Sequence, residues 1–191
     1  MKSPDYNSCA VLCRRVTCGM LLCVMTMNDD EAVGQLDSVK HLYLRHLFEP
    51  RDNSLRLIVE EAVENRSGVI RPQPELAVPD LADILRDASP IESIEGCRKF
   101  ELYWKRYVAY LVTEEMVASC GAYEDEVYRG TLFRIYEKSH FLEHLARDTG
   151  GHCDPVRHYK IVCLNHVIDV AAYAHPDVRL LTEPPLSSRT Q

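Results

Sequence analysis

The chain has no excess of positive charge and no apolar run long enough to cross a bilayer. Lys and Arg total 22 against 29 Asp and Glu, which gives a formal net charge of -7. Because nucleic acids are bound by clustered cations, we expect no nucleic-acid partner. A bilayer span needs about 20 apolar residues, so we expect no membrane partner. The composition is 46% hydrophobic and 27% charged, which is typical of a globular protein, and we expect it to be soluble and cytoplasmic.

The sequence also lacks the short motifs of the common enzyme classes. It contains no GxGxxG or GxxxxGK[ST] phosphate-binding loop and no GxSxG nucleophile elbow. Its eight cysteines include no CxxC pair, so neither a zinc ribbon nor a thioredoxin-type site is predicted, and we expect free thiols in a reducing compartment. These absences favour a protein that is not an enzyme.

The two ends of the chain differ in composition from its centre. Residues 1–27 contain an apolar stretch after two arginines, but no small-residue cleavage site follows it. We interpret them as a leader or a misassigned start that is not part of the fold. Residues 28–175 are predicted to form a single domain, and residues 176–191, which end in PPLSSRTQ, a flexible C-terminal tail.

The clearest structural pattern lies at residues 100–112, FELYWKRYVAYLV. Every even-numbered position except Arg106 is apolar or aromatic, and a strand would place all of them on one face. A helix is the alternative, because several of these residues also share a helical face. The aromatic and valine content favours a strand over residues 99–113, with one side buried.

Weaker patterns surround this segment. Residues 36–48 have near-helical spacing, with a hairpin between them and residues 55–63 as the alternative. Prolines interrupt residues 64–93, where a short helix is predicted at 79–88. The remaining predicted elements are a strand at 130–137, a helix at 140–148 capped by Ser139 and ended by Gly150 and Gly151, and strands at 159–164 and 167–173.

The order of these elements predicts the fold class. Strands follow one another through short turns, and the strict strand–helix alternation of a doubly wound parallel sheet is missing. We therefore expect an α+β fold. It would be a single domain with a curved, mostly antiparallel sheet that a few helices cover on one face.

A resemblance to uncharacterised bacterial proteins of this size rests on the segments FELYWKRYVAYLV, RGTLFRIYEKSHFLEH and HYKIVCLNHVIDVAAY. The similarity covers about residues 36–178. No activity is attached to those proteins. The resemblance therefore implies a bacterial origin, but no mechanism and no site residues.

One motif has a chemical meaning. Residues 140–144, HFLEH, have the form HxxEH of an inverted zinc-peptidase motif, in which His140 and His144 share one side of a helix and Glu143 could activate a bound water. Zinc needs three or four ligands, and His158 is a candidate for the third. The alternative function is therefore a small zinc hydrolase. We prefer the simpler interpretation, a helix with no cofactor.

A second group contains the residue types of a thiol nucleophile, a cysteine with a histidine and a carboxylate. We expect no such activity, because Cys163 is predicted to point into the core. We interpret Asp169, which interrupts an apolar strand, as a paired polar group near a sheet edge or bulge. The full group is His152, Cys153, Asp154, His158, Cys163, His166 and Asp169.

The preferred function is binding without catalysis. If the even-numbered face of the long strand is buried, Tyr103 and Tyr107 lie on the opposite face, with Arg106 beside them. Tyr and Arg are favoured contact residues at interfaces. We therefore predict an interaction module whose sheet surface binds a protein or small-molecule partner through these three residues. The same face could instead be covered by helices or by a second copy of the chain, which would make a homo-oligomer.

Overall fold

The computed structural model describes residues 29–65, 89–118, 123, 125–153 and 155–181. Within these ranges the chain forms two helices and ten strands. In chain order they are α1 (Asp29–Asp37), β1 (His41–Phe48), β2 (Leu55–Glu64), β3 (Ile91–Glu92), β4 (Lys99–Trp104), β5 (Tyr107–Glu114), β6 (Val127–Arg129), β7 (Phe133–Lys138), α2 (His140–Thr149), β8 (Arg157–Val162), β9 (His166–Ala172) and β10 (Asp177–Leu181).

Two antiparallel sheets make up the fold. The first has the strand order β1-β2-β4-β10, with β3 also paired to β2, and the second has the order β5-β9-β8-β7-β6. Strands account for 50% and helices for 15% of the described residues. The predicted antiparallel pairing is confirmed, but the predicted α+β domain with several helices covering a sheet is wrong. Among the described residues, the apolar face of the first sheet packs in one cluster with the second sheet and α1, and no layer of several helices covers it.

The two sheets share one hydrophobic core. Leu57, Phe100 and Trp104 contribute fully buried side chains from the first sheet, and Tyr159 and Ile161 contribute them from the second. The rings of Trp104 and Tyr159 lie 5.8 Å apart, between centroids. The apolar face predicted for the β4 segment is therefore buried as expected, and the hydrophobic effect holds the two layers together.

The predicted strand at 99–113 consists of two strands. The interpretation as strand rather than helix is confirmed, since β4 and β5 cover this segment. A single continuous strand is wrong, because β4 pairs with β2 and β10 whereas β5 pairs with β9 in the other sheet. The chain crosses between the sheets at Lys105 and Arg106, both exposed.

The N-terminal hairpin corrects another prediction. The helix predicted at 36–48 is wrong, and the alternative, a hairpin with residues 55–63, is confirmed by the pairing of β1 with β2. Asn53 occupies the connecting turn with a φ of 58°, a left-handed conformation that asparagine tolerates better than most residues. The turn places residues 49–54 beside the crossing point between β4 and β5, where the backbone N–H of Tyr107 donates to the Asn53 carbonyl at 2.9 Å.

The helix α2 forms as predicted. Its N-cap is Ser139, whose hydroxyl accepts a hydrogen bond from the Leu142 N–H at 3.1 Å. Gly150 ends it in a left-handed conformation with a φ of 60°. The helix has no fully buried residue, and Phe141 makes its ring contact with His158 of β8. This helix therefore packs loosely on one end of the second sheet and buries little surface there.

The C-terminal part of the fold extends beyond the predicted domain end. Residues 177–181 were expected to belong to the flexible tail, but they form β10, which pairs along its whole length with β4. The buried Val178 fixes this strand to the core. The predicted leader at 1–27, the predicted helix at 79–88 and the last ten residues lie outside the described residues.

Asp37 anchors the end of the first helix to the second sheet. Asp37, at the end of α1, accepts hydrogen bonds from the backbone N–H groups of Thr131 and Leu132 at 2.7 Å each. The turn that presents these groups requires a glycine. Gly130 has a φ of +91°, and a Cβ there would lie 2.0 Å from the Phe133 carbonyl oxygen.

Candidate functional site

The three residues predicted to form a binding surface lie at the crossing between the sheets and do not share one face. Tyr103 belongs to β4 in the first sheet, and Tyr107 begins β5 in the second. The hydroxyl of Tyr107 donates to the Glu49 carboxylate at 2.7 Å, and this hydrogen bond raises the pKa of Tyr107 to about 12. Arg106 is exposed between them, with its guanidinium 5.2 Å from the centre of the Tyr173 ring.

Tyr103 lies in a row of side chains that crosses the outer face of the first sheet. The strand registers place Phe48 opposite Arg56, Arg56 opposite Tyr103, and Tyr103 opposite Asp177. The Arg56 guanidinium lies 5.3 Å from the Tyr103 ring centre and 5.6 Å from the Phe48 ring centre. These separations are typical of cation–π contacts, so the two rings hold the guanidinium across the sheet.

A groove of about 470 Å³ opens at the Tyr103 end of this row. Three of its six lining side chains are cationic and one is anionic. Cations therefore outnumber anions among the lining residues, in a chain whose net charge is -7. The lining residues of this Tyr103 groove are Pro50, Arg51, Asp52, Arg56, Tyr103 and Lys105.

The cations of the groove are incompletely paired. The buried Nε of Arg56 has no hydrogen-bond partner among the described residues, and it lies 3.6 Å from the Glu101 carboxylate, which is too long for a hydrogen bond. Nζ of Lys105 lies 3.5 Å from Asp177, and the Lys105 side chain is 79% exposed. An incoming anion can therefore compete with Asp177 for the exposed ammonium group of Lys105.

Each of the predicted zinc ligands contacts a different carboxylate. Nε2 of His140 is 2.8 Å from Asp125, while Nε2 of His144 is 3.4 Å from Asp148 on the exposed side of α2. His158 is buried on β8. Within the described ranges, no group of three or more His, Cys, Asp or Glu side chains is arranged to hold a metal ion. The described residues therefore offer the zinc-hydrolase alternative no ligand set.

His140 provides a test of the electrostatics at the start of α2. The hydrogen bond with Asp125 raises the pKa of His140 above 6.5, and the hydrogen bond with His140 lowers the pKa of Asp125 below 3.8. The stability contributed by His140 is fully present below pH 6.5 and is lost as pH rises through its folded pKa. The stability contributed by Asp125 is present above pH 3.8 and is lost as pH falls through the folded-state pKa of Asp125.

We expect the substitution Asp125→Asn to lower the pKa of His140 towards 6.5, because the imidazolium loses its carboxylate partner. The titration of the ring protons by NMR measures this directly. Glu95→Gln, which removes an exposed carboxylate from the β3–β4 turn, should leave the pKa of His140 unchanged. An equal shift in both variants would show that net charge, and not the contact with Asp125, sets this pKa.

A second cluster of ionisable side chains is buried on the outer face of the second sheet. Nε2 of His158 lies 2.8 Å from Oδ1 of Asp169, and Nζ of Lys160 lies 3.3 Å from the same oxygen. The Tyr136 ring stacks on the His158 ring with 4.2 Å between centroids. Burial, the largest single influence, lowers the pKa of Lys160, but Asp169 and Tyr136 together raise it above 10.5.

The cluster has the composition of a catalytic His–Asp pair, but its side chains are too buried for a substrate to reach them. The His158 side chain is 1% exposed, and that of Asp169 is 11% exposed. Cys163, the candidate thiol closest to it in sequence, is buried, and burial raises the pKa of that thiol to about 12. A thiol with such a pKa forms almost no thiolate at neutral pH. We therefore interpret the cluster as a structural network. It confirms that Asp169 is a paired polar group, but Asp169 lies on β9, which is not an edge strand.

Two parts of the groove were missed at the sequence level. No sequence pattern gives residues 51–54 a role in binding, and Arg56 is placed only within the 55–63 segment of the alternative hairpin. The signal that could have found them is the hairpin register. Once β2 is aligned on β4, Arg56 faces Tyr103 directly, and the preceding turn must lie beside the residue that follows β4.

No protein-family model, no curated protein and no solved structure matches this chain. The resemblance to bacterial proteins therefore stays a prediction. Among the described residues, no helix is both long enough and apolar enough to span a membrane.

Proposed function

We propose that this protein is a non-catalytic binding protein that takes an anionic group of its partner in the Tyr103 groove. The observation that carries this proposal is the convergence of Arg51, Arg56 and Lys105 on one groove of about 470 Å³ in an acidic chain. Phosphate and carboxylate groups match such an arrangement, because a guanidinium presents a planar fork of donors to them.

The composition of the groove favours binding over catalysis. Its six lining residues include no histidine, which is the commonest general base, and no cysteine or serine nucleophile. Tyr103 adds a ring face beside the cations, and Tyr is favoured at binding surfaces because it offers a large contact area at low entropic cost. An anion carried on a planar or aromatic group would use both features.

The proposal is tested by NMR titration with three probes at low ionic strength: phenyl phosphate, inorganic phosphate and benzoate. We expect chemical-shift changes at the lining residues with phenyl phosphate and weaker changes with inorganic phosphate. Benzoate shows whether a carboxylate serves as well as a phosphate. Raising the ionic strength from about 0.01 to 0.15 M should weaken binding, because it shortens the screening length from about 30 to 8 Å.

The substitution Arg51→Gln should weaken binding of phenyl phosphate by about five- to tenfold, or about 1–1.4 kcal/mol, since Arg51 is exposed. Arg147→Gln is the matched control, because Arg147 is exposed on α2, away from the groove. Tyr103→Ala should reduce the affinity for phenyl phosphate but not for inorganic phosphate. No binding of either phosphate, or equal losses in the two arginine variants, would contradict the proposal.

A further inference from the structure

The strand β5 ends the second sheet with one side unpaired. It is bonded to β9 on one side, and no other described strand pairs with it. Its eight residues, YVAYLVTE, contain one charge and no proline. Sheet edges usually carry charges, prolines or bulges that prevent pairing with another chain, and along most of its length this one lacks them.

The same edge exposes apolar side chains. Leu111 is 51% exposed and Val112 is 38% exposed, and they point to opposite faces of the strand. Directly after β5, Met116 and Val117 are 86% and 74% exposed. Leu111 and Val112 therefore give both faces of the edge an exposed apolar side chain that a partner strand would cover, and Met116 and Val117 lie just beyond the end of the strand.

The charges at the two ends of β5 indicate which partner fits. Lys105 and Arg106 precede the strand, and Glu114 and Glu115 lie at its end and just after it. An antiparallel copy of β5 would bring the basic end of each strand next to the acidic end of the other. A parallel copy would oppose like charges, which is unfavourable. A second copy of this chain in antiparallel orientation therefore satisfies both the backbone and the charges.

The β1–β2 turn limits where the two copies can pair. The N–H of Tyr107 already donates to the carbonyl of Asn53, so the start of the edge is occupied. The bulge between Tyr107 and Ala109 also lies there. The free edge then runs over 108–114, and its midpoint is Leu111. A twofold axis at Leu111 places the two Leu111 side chains against each other.

We propose that β5 pairs antiparallel with β5 of a second copy about a twofold axis at Leu111. The pairing joins two five-stranded sheets into one continuous sheet of ten. The interface lies beside the Tyr103 groove, because Lys105 both lines the groove and precedes β5, and it extends the proposed function to a dimer that presents two grooves. An isologous contact of this kind closes on itself, so the assembly stops at two copies.

The test compares two single charge reversals, Arg106→Glu and Glu114→Arg, by sedimentation equilibrium and light scattering. The wild type should have twice the 21.9 kDa mass of one chain. Each variant alone places like charges together at both ends of the interface, and its dimer dissociation constant should rise at least about tenfold. An equimolar mixture of the two variants pairs opposite charges at both ends again and should recover the dimer.

Circular dichroism identifies any variant that fails to fold. Leu111→Lys, which places a charge at the axis of the proposed pair, gives an independent reading and should make the protein monomeric. Amide hydrogen exchange should be slow in the wild type and fast in this variant at those residues of 109–113 whose N–H groups point away from β9. A wild type that is monomeric at every concentration, or a dimer that withstands both reversals, would overturn the proposal.

Discussion

Replacing Asp169 with alanine is expected to lower the free energy of unfolding by about 3–5 kcal/mol. Asp169 is the carboxylate that both His158 and Lys160 contact, at 2.8 and 3.3 Å. Its removal leaves a lysine whose side chain is only 14% exposed without its counter-ion. It also takes from the buried imidazole the only partner of its Nε2 among the described contacts. An uncompensated buried charge costs far more than the intact pair contributes.

Urea unfolding followed by circular dichroism measures this loss, with two variants as comparisons. Asp169→Asn keeps the shape and one oxygen acceptor, so we expect a smaller loss. The triple variant His158→Phe, Lys160→Met, Asp169→Val replaces the whole cluster by apolar side chains, and it should recover most of the stability, as buried ion pairs often allow. A loss below about 1 kcal/mol in Asp169→Ala would show that water solvates the cluster, since exposed pairs contribute that little.

The same cluster predicts a pH dependence. Because the folded-state pKa of Lys160 is raised above 10.5, its contribution is fully present below pH 10.5 and is lost as pH rises through the folded pKa. The wild type should therefore lose stability in this alkaline range. Asp169→Asn should lose less there, because the charge that raises this pKa is gone.

The alternation of apolar and polar residues was sufficient to locate the core strands in the sequence. It was not sufficient to assign each strand to one of the two sheets. The even-numbered residues of 99–113 are apolar or aromatic on both sides of Arg106, and a single charged residue does not by itself show that the chain changes sheets there. Period-2 alternation records only which side of each strand is buried. It is the same whether the covering layer is a helix or another sheet, and the prediction of covering helices was wrong for that reason.

The helix predicted at 36–48 shows a second limit. Leucines and histidines at β1 fit a helical face as well as a strand, and a short apolar run does not separate the two. The pairing of β1 with β2 decided the outcome, which is a case of tertiary contacts overriding local preference. The α2 helix was predictable because its end signals, Ser139 and Gly150, act locally.

The candidate site was predictable only in part, because local patterns can be read from the sequence and long-range strand registers cannot. Tyr103 was selected as a surface residue of a strand, and it lies in the groove. Its neighbours Arg51 and Arg56 are about fifty positions away in sequence, and only the β2–β4 register brings them together. The Lys160–Asp169 contact could have been predicted from the sequence, because β8 and β9 form a hairpin in which these residues are directly opposed. A hairpin register follows from its turn, whereas a long-range register does not.

The substitution Trp104→Ala is expected to cost about 3–5 kcal/mol, as is usual for removing a buried aromatic side chain from a core. Trp104 is fully buried at the end of β4, where it contacts Tyr159 of the other sheet. It therefore joins the two layers at the point where the chain crosses between them. Because it is the chain's single tryptophan, unfolding must be followed by circular dichroism.

Trp104→Phe separates packing from hydrogen bonding at this position. The buried indole Nε1 has no hydrogen-bond partner among the described residues, so phenylalanine removes an unsatisfied donor along with part of the ring. We expect it to cost much less than alanine. Equal losses in the two variants would mean that the donor is satisfied in solution.

A cavity at Trp104 would also loosen its neighbours Tyr103 and Lys105. Trp104→Ala should therefore weaken phenyl phosphate binding although Trp104 does not line the Tyr103 groove, whereas Trp104→Phe should preserve binding.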